Sequence, residues 1–125
     1  MTLYQATIGP TTLATGAAVV NAGEIYNSDL PVTAGGAAQA ANVTIIKQII
    51  VCNTAGSAST FSLYLDSNGT VAVGDTLFEG VTLAIGETKI INTSLVLRAA
   101  QNHKIHARAS ANSVVILTLV GIEEY

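Results

Sequence analysis

From residue 42 onward the chain runs in short apolar stretches rich in Val, Ile and Thr, punctuated by Gly, Asn, Asp and Ser. Ser59 to Asp66 alternates cleanly, with Phe61, Leu63 and Leu65 on one parity and Thr60, Ser62 and Tyr64 on the other. That is the period of a half-buried strand. Val43 to Asn53 is apolar on both parities, with Ile45, Ile49 and Val51 on one and Ile46, Ile50 and Cys52 on the other. Such a run predicts a central strand covered on each side, or a bulge that switches the inward parity. Further short strands are expected at Thr76–Gly80, Val81–Ala84, Lys89–Thr93 and Leu95–Leu97, and a final pair at Lys104–Ser110 and Val114–Ile122. Turn-forming residues separate them: Asn53–Ser57, Asp66–Gly69, Ile85–Thr88, Ala100–Asn102 and Ala111–Ser113. Many short strands at this spacing predict an all-β fold, an antiparallel β-sandwich or jelly roll, over 42–125.

Residues 1–41 read differently. They hold two charges, Glu24 and Asp29, both prolines, Pro10 and Pro31, and much Thr, Ala and Gly. β-compatible pieces occur at Leu3–Ile8, Ala18–Val20 and Ile25–Tyr26, and Thr33–Ala38 reads as a loop or linker. The expectation is an extended N-terminal arm with one or two peripheral strands, whose backbone must find hydrogen-bond partners, some of them on a neighbour.

Composition narrows the function. At 125 residues the chain suits one domain. Half its residues are hydrophobic and only 10% are charged, against roughly 25% in a typical soluble domain. A neutral surface is easily desolvated, because few ions lose water when subunits meet. The five basic residues are scattered from Lys47 to Arg108, without the clustering that nucleic acid or an anionic membrane requires. No basic segment followed by an apolar stretch marks a secretory signal, and no apolar run reaches the roughly 20 residues of a membrane span. Synthesis and assembly in a cytoplasm are expected.

The candidate chemistry is sparse. His103 and His106 are three apart, hence on opposite faces of a strand, and lack a nearby carboxylate cluster; they read as surface or rim residues rather than metal ligands. Asp66-Ser67-Asn68-Gly69 resembles the start of a calcium loop, but Leu77 stands where the bidentate Glu belongs. Cys52 reads as a small buried hydrophobe, and Glu123 and Glu124 as solvated or subunit-contact residues. No nucleophile elbow, phosphate-binding loop or Cys/His pair occurs. No catalytic, cofactor or metal site is therefore expected. Tyr64, on the polar parity of its strand, suits a cross-strand or interface contact better than a sugar platform, and Trp is absent. The candidate functional residues are instead interface residues: Leu3, Tyr4, Ile8, Ile25, Tyr26, Tyr64 and Tyr125.

Four phrases carry a resemblance. They are Val51-Cys52-Asn53-Thr54, the segment Gly80-Val81-Thr82-Leu83-Ala84-Ile85-Gly86-Glu87-Thr88, the stretch Ala107 to Val114, and Gly121-Ile122-Glu123. With the alternating strand between the first two, they make residues 42–125 resemble small virion proteins of tailed bacteriophages. The resemblance implies a β-sandwich packed on a virion, as a homotrimer or other ring. Its partners would be copies of itself and the major capsid protein or another virion protein. The leading expectation is a capsid decoration (cement) protein that binds the assembled shell and stabilises it by mass action. A neck or tail component (adaptor, tube or baseplate) is the alternative, and a receptor- or carbohydrate-binding module the third.

Overall fold

The computed structural model describes residues 3–16, 18–28, 43–110 and 115–124. Among the described residues nine strands carry the fold: β1 (Leu3–Thr12), β2 (Ala14–Thr15), β3 (Gly23–Asn27), β4 (Val43–Asn53), β5 (Ser59–Asp66), β6 (Thr76–Leu83), β7 (Thr88–Arg98), β8 (Lys104–Ala109) and β9 (Val115–Glu124). Three single-turn 3-10 helices, at Val19–Asn21, Val73–Asp75 and Ala99–Gln101, are the helical structure among the described residues. One sheet, here sheet A, has the order β1-β9-β4-β7 and is wholly antiparallel. Sheet B has β8 between β5 and the edge pieces β2 and β3, with β6 beyond β5. Its single parallel contact is β2 on β8.

The two sheets face each other across an apolar core. Ile46, Ile49 and Val51 of β4, Leu97 of β7 and Leu117 and Leu119 of β9 meet Phe61 and Leu63 of β5, Leu83 of β6 and Ile105 of β8, all essentially inaccessible. Burial of each such side chain stabilises the fold by roughly 1.5–3 kcal/mol, which accounts for strands so dense in branched aliphatics.

The two-faced pattern of β4 has a specific cause. Register slips between Ile46 and Gln48 against both neighbours, so Lys47 sits in a bulge. The inward parity changes there: Thr44 and Ile46 point to the core before it, Ile49, Val51 and Asn53 after it. Opposite the bulge, Gly121 lies so close to β4 that an added Cβ would stand 2.3 Å from the Ile45 carbonyl oxygen. Only glycine fits that approach.

β1, β2 and β3, from the segment expected as an arm with peripheral strands, are built into the two sheets. β1 runs antiparallel to β9 from Leu3↔Glu124 to Thr12↔Ile116, and β3 pairs with β8. Residues 29–42, including the loop expected at Thr33–Ala38, lie outside the described residues. The low-charge, Thr/Ala-rich composition that suggested an arm is equally that of an edge strand held by backbone bonds. The two short strands expected at 89–93 and 95–97 are one continuous β7, because Ser94 interrupts the apolar run without interrupting the alternation. The turn at Asp66–Gly69 opens into a longer connection, in which Asp66 Oδ1 accepts the Asn68 and Gly69 amides at 2.8 and 3.0 Å.

Buried polar groups join the sheets at their ends. Asn53 Nδ2 donates to the carbonyls of Ser57, Leu83 and Ala84. Within the sandwich, the Tyr26 hydroxyl donates to Glu123 Oε2 and lies 2.9 Å from Thr44 Oγ1. Glu123, expected in solvent or at a subunit contact, is fully buried. Its parity on β9 is that of Leu117 and Leu119, and hydrogen bonding compensates the carboxylate for lost water.

Candidate functional site

The outward face of sheet A is assembled from alternate positions of four strands, and cross-strand register sorts them into rows. Gln5, Ile122, Ile45 and Val96 stand side by side; the next row is Thr7, Val120, Gln48 and Asn92; then come Thr118, Ile50 and Ile90, and finally Thr12, Ile116, Cys52 and Thr88. Residues directly paired across strands point to the same face, so these side chains form one surface. Ionic groups within it reduce to Lys47 in its bulge, while Glu124 and Arg98 lie in the end row with Leu3 and Val43. A solvent-facing sheet surface is normally polar at these positions. Here Ile90 is 58% exposed, Val96 38% and Leu3 59%. A shallow hollow of roughly 360 Å³, lined by Leu3, Tyr4, Gln5, Lys47, Val120, Gly121 and Ile122, marks its β1–β9 end. Chemically this face can do one thing well: exclude water against a complementary surface, with a single ammonium group near its middle to desolvate.

The outward face of sheet B is different in kind. Ser62, Tyr64 and Asp66 of β5 stand beside Arg108, His106 and Lys104 of β8. Arg108 Nε donates to the Tyr64 hydroxyl at 2.8 Å, its Nη1 to the Gly16 carbonyl at 3.0 Å and its Nη2 to Glu79 Oε1. The Tyr64 hydroxyl completes the triangle by donating to Glu79 Oε2 at 3.0 Å. This bracing ties β5, β6, β8 and the segment after β2 together. One row further, His106 Nδ1 lies 3.5 Å from Asp66 Oδ2, and both atoms are buried. His106 also borders a small hollow formed with Ala22, Gly69, Thr70 and Val71. Ser62 Oγ, on the same face of β5, accepts the Gly80 amide at 3.0 Å. Among the described residues no group of three or more His, Cys, Asp or Glu side chains converges as metal ligands would.

The residues singled out from the sequence fall in distinct places. Leu3 and Tyr4 are exposed at the β1 edge of sheet A. Ile8, Tyr26 and Tyr64 are buried within their own chain, at 4%, 3% and 0% exposure, and Ile25 is half-buried against the core. Tyr125 lies outside the described residues. Tyr64 makes a cross-strand contact, and its ring, closed in on both sides, leaves no surface for a sugar to stack on. His106 corrects the rim reading: pairing of β8 between β3 and β5 buries it, whereas His103 sits outside the strand and accepts the Arg98 amide on Nδ1 at 3.0 Å. Cys52 also departs from expectation, since the bulge turns it to the half-exposed outward face instead of the core.

Sequence reasoning missed the surface itself. Ile50, Ile90, Val96, Ile116, Val120 and Ile122 were legible as strand residues, but their common face depends on register. The available signal was the apolar content of both parities in β4 and β9.

No protein-family model and no curated protein sequence matches the chain. The fold is similar to that of a chain in the structure of the infectious bursal disease virus Gx strain, with a TM-score of 0.52 and 11% identity over 98% of this chain and 32% of that one. It is likewise similar to the VP2 subviral particle of infectious bursal disease virus, with a TM-score of 0.52 and 12% identity over 99% of this chain and 32% of that one. This chain spans about a third of the length of each, and at such identities the likeness is one of fold: a β-sandwich of the kind found in those viral particles.

Proposed function

We propose that this protein is a non-enzymatic virion structural component, and specifically a capsid decoration (cement) protein of a tailed phage. The observation that carries the reading is the outward face of sheet A, where Ile and Val side chains stand among uncharged Thr, Gln and Asn with a single central ionic group. A surface of this composition gains free energy when covered, at roughly 25 cal/mol for each Å² of apolar area removed from water. Two lines support a virion setting. One is the resemblance of residues 42–125 to small phage virion proteins; the other is a fold shared with chains of infectious bursal disease virus particles. Leu3, exposed in the end row of this face, belongs to the proposed contact, and Tyr4 lines the hollow at its edge. A protein that binds the assembled shell and not its free subunits shifts assembly toward the shell by linkage. The buried ring of Tyr64 weighs against the sugar-binding alternative.

Binding of the purified protein to undecorated phage heads, measured by co-sedimentation and followed by electron microscopy of the particles, tests the proposal. Wild-type protein sediments with heads in hundreds of copies and raises the temperature at which they rupture. Ile50→Lys combined with Val96→Lys keeps the fold and abolishes binding. A neck or tail component would instead appear in six or twelve copies at one vertex. A folded wild-type protein that ignores heads and tails alike overturns the virion reading.

A further inference from the structure

Among the described residues the edge strands of the two sheets are unequal. An edge strand offers unpaired N–H and C=O groups to any passing strand, and natural sheets blunt such edges with proline, bulges, charges or brevity. Three edges here are blunted. β1 carries Pro10, which has no N–H, within a register slip between Ile8 and Thr11. β6 slips twice against β5, and its Glu79 is drawn onto Arg108. The far side of β8 is covered by two pieces of only two and five residues. β7 is the least blunted: it slips once against β4, between Leu95 and Asn92, and its charges stand only near its ends. It is eleven residues long, alternates without a break, and contains neither Pro nor Gly nor any charge between Lys89 and Arg98. Among the described residues β4 is its one partner.

The sequence of β7 is also self-complementary. Read from either end, Thr-Lys-Ile-Ile-Asn-Thr-Ser-Leu-Val-Leu-Arg is apolar on both flanks, polar in the middle and cationic near each end, with Thr93 at the centre. We propose that two copies of this chain join edge to edge through β7, antiparallel about a two-fold axis at Thr93, making one eight-stranded sheet from two sheets of four. In that register Ile90 meets Val96 of the second copy and Asn92 meets its Ser94 on the outward face. Ile91 meets Leu95 on the inward face, and the two Thr93 residues oppose each other.

Alternative registers are worse. A slip of one residue sets outward positions against inward ones. A slip of two places Ile90 opposite either Arg98 or Ser94. The cations do not oppose each other, because Lys89 has the inward parity, beside Glu87 at 3.4 Å, and Arg98 the outward one. The joint also continues the surface described above: the row Ile122–Ile45–Val96 runs directly into Ile90 and Ile50 of the second copy. The pairing rests on this strand and not on a virion role.

Light scattering on the size-separated full chain, together with thiol cross-linking in a Cys52→Ser background, decides the matter. The parent protein is expected to have twice the chain mass. Thr93→Cys should cross-link to itself with a short bis-thiol reagent. Ile90→Cys and Val96→Cys should each fail alone, because each residue and its own symmetry mate stand about 20 Å apart along the strands. Coexpressed, the two should cross-link. Asn92→Lys with Ser94→Lys, both exposed positions, should give a monomer with unchanged circular dichroism. A monomeric parent, self-linking of Ile90→Cys, or dimers that Thr93→Cys fails to link would each overturn the pairing. Dimers with the expected linkage that ignore phage heads would retain it and remove only the virion reading.

Discussion

The side-chain amide of Asn53, the last residue of β4, donates at 3.2 Å to the backbone carbonyl of Leu83, the last residue of β6, and so fastens the end of one sheet to the end of the other. The same amide reaches Ser57 and Ala84, its carbonyl oxygen accepts the Ala55 amide at 2.9 Å, and its backbone N–H donates to Glu87 at 2.9 Å. One buried side chain thus satisfies backbone groups from two connections. Asn53→Ala removes donors that three carbonyls share and should cost about 2–4 kcal/mol. Asn53→Asp, which turns a lone pair toward the same carbonyls, should cost at least as much. Urea unfolding of the purified variants measures both; a change below about 1 kcal/mol would show the clasp to be dispensable.

Gly121 offers a second prediction from a single atom. A methyl group there meets the Ile45 carbonyl oxygen at 2.3 Å and backbone atoms of β4 at 3.1 Å, in the middle of a sheet where neither strand can retreat without breaking its ladder. Gly121→Ala should therefore destabilise by more than about 3 kcal/mol, at the upper end of overpacking effects. Gly56→Ala, with open space around its Cβ position, serves as the control and should unfold within about 1 kcal/mol of the parent. Equal stability of the two variants would mean that the bulge at Lys47 relaxes freely.

Glu87 links stability to pH. Its carboxylate accepts the Ala84 amide at 2.8 Å across the turn between β6 and β7, and this bond holds its pKa below the ordinary value. Partial desolvation opposes the shift, and Lys89 at 3.4 Å adds to it. A carboxyl whose folded pKa is depressed contributes stability at pH values above its unfolded pKa and loses it as pH falls through the folded one. Glu87→Gln should accordingly unfold at a lower temperature than the parent at pH 7, and the two melting curves should converge as the carboxylate range is crossed downward. A gap that persists at low pH would trace the effect to packing rather than charge.

The phrases that carried the resemblance prove to be places where backbone geometry is constrained. Asn53 of the first clasps Leu83 and Ala84 of the second, and Glu87 of the second closes its own turn. Ser110 of the third accepts the Thr60 amide at 2.9 Å, and Gly121 and Glu123 of the last fill sites open only to a hydrogen atom and to a hydrogen-bonded carboxylate. The alternation of β5 and the turns around it were legible because both signals are local. Burial of His106 and Glu123 was not, since it follows from pairing with strands far away in sequence. The bulge at Lys47 concealed the outward face for a related reason: it reverses parity within one apolar run, and no local pattern says on which side of Lys47 the reversal falls.

The placement of β9 between β1 and β4 has a kinetic consequence. Leu3 pairs with Glu124 and Val43 with the same residue from the other side, so the central column of sheet A closes only through contacts between remote parts of the chain. Folds dominated by such contacts form slowly, because loop closure precedes the reward of pairing. Ile116, Val120 and Ile122 belong to that column, and until β9 docks the outward aliphatics of β4 and β7 are separated from those of β1. The outward surface is completed by the same event that completes the sheet: before β9 docks, only its β4–β7 part, Ile45 beside Val96 and Ile50 beside Ile90, is in place.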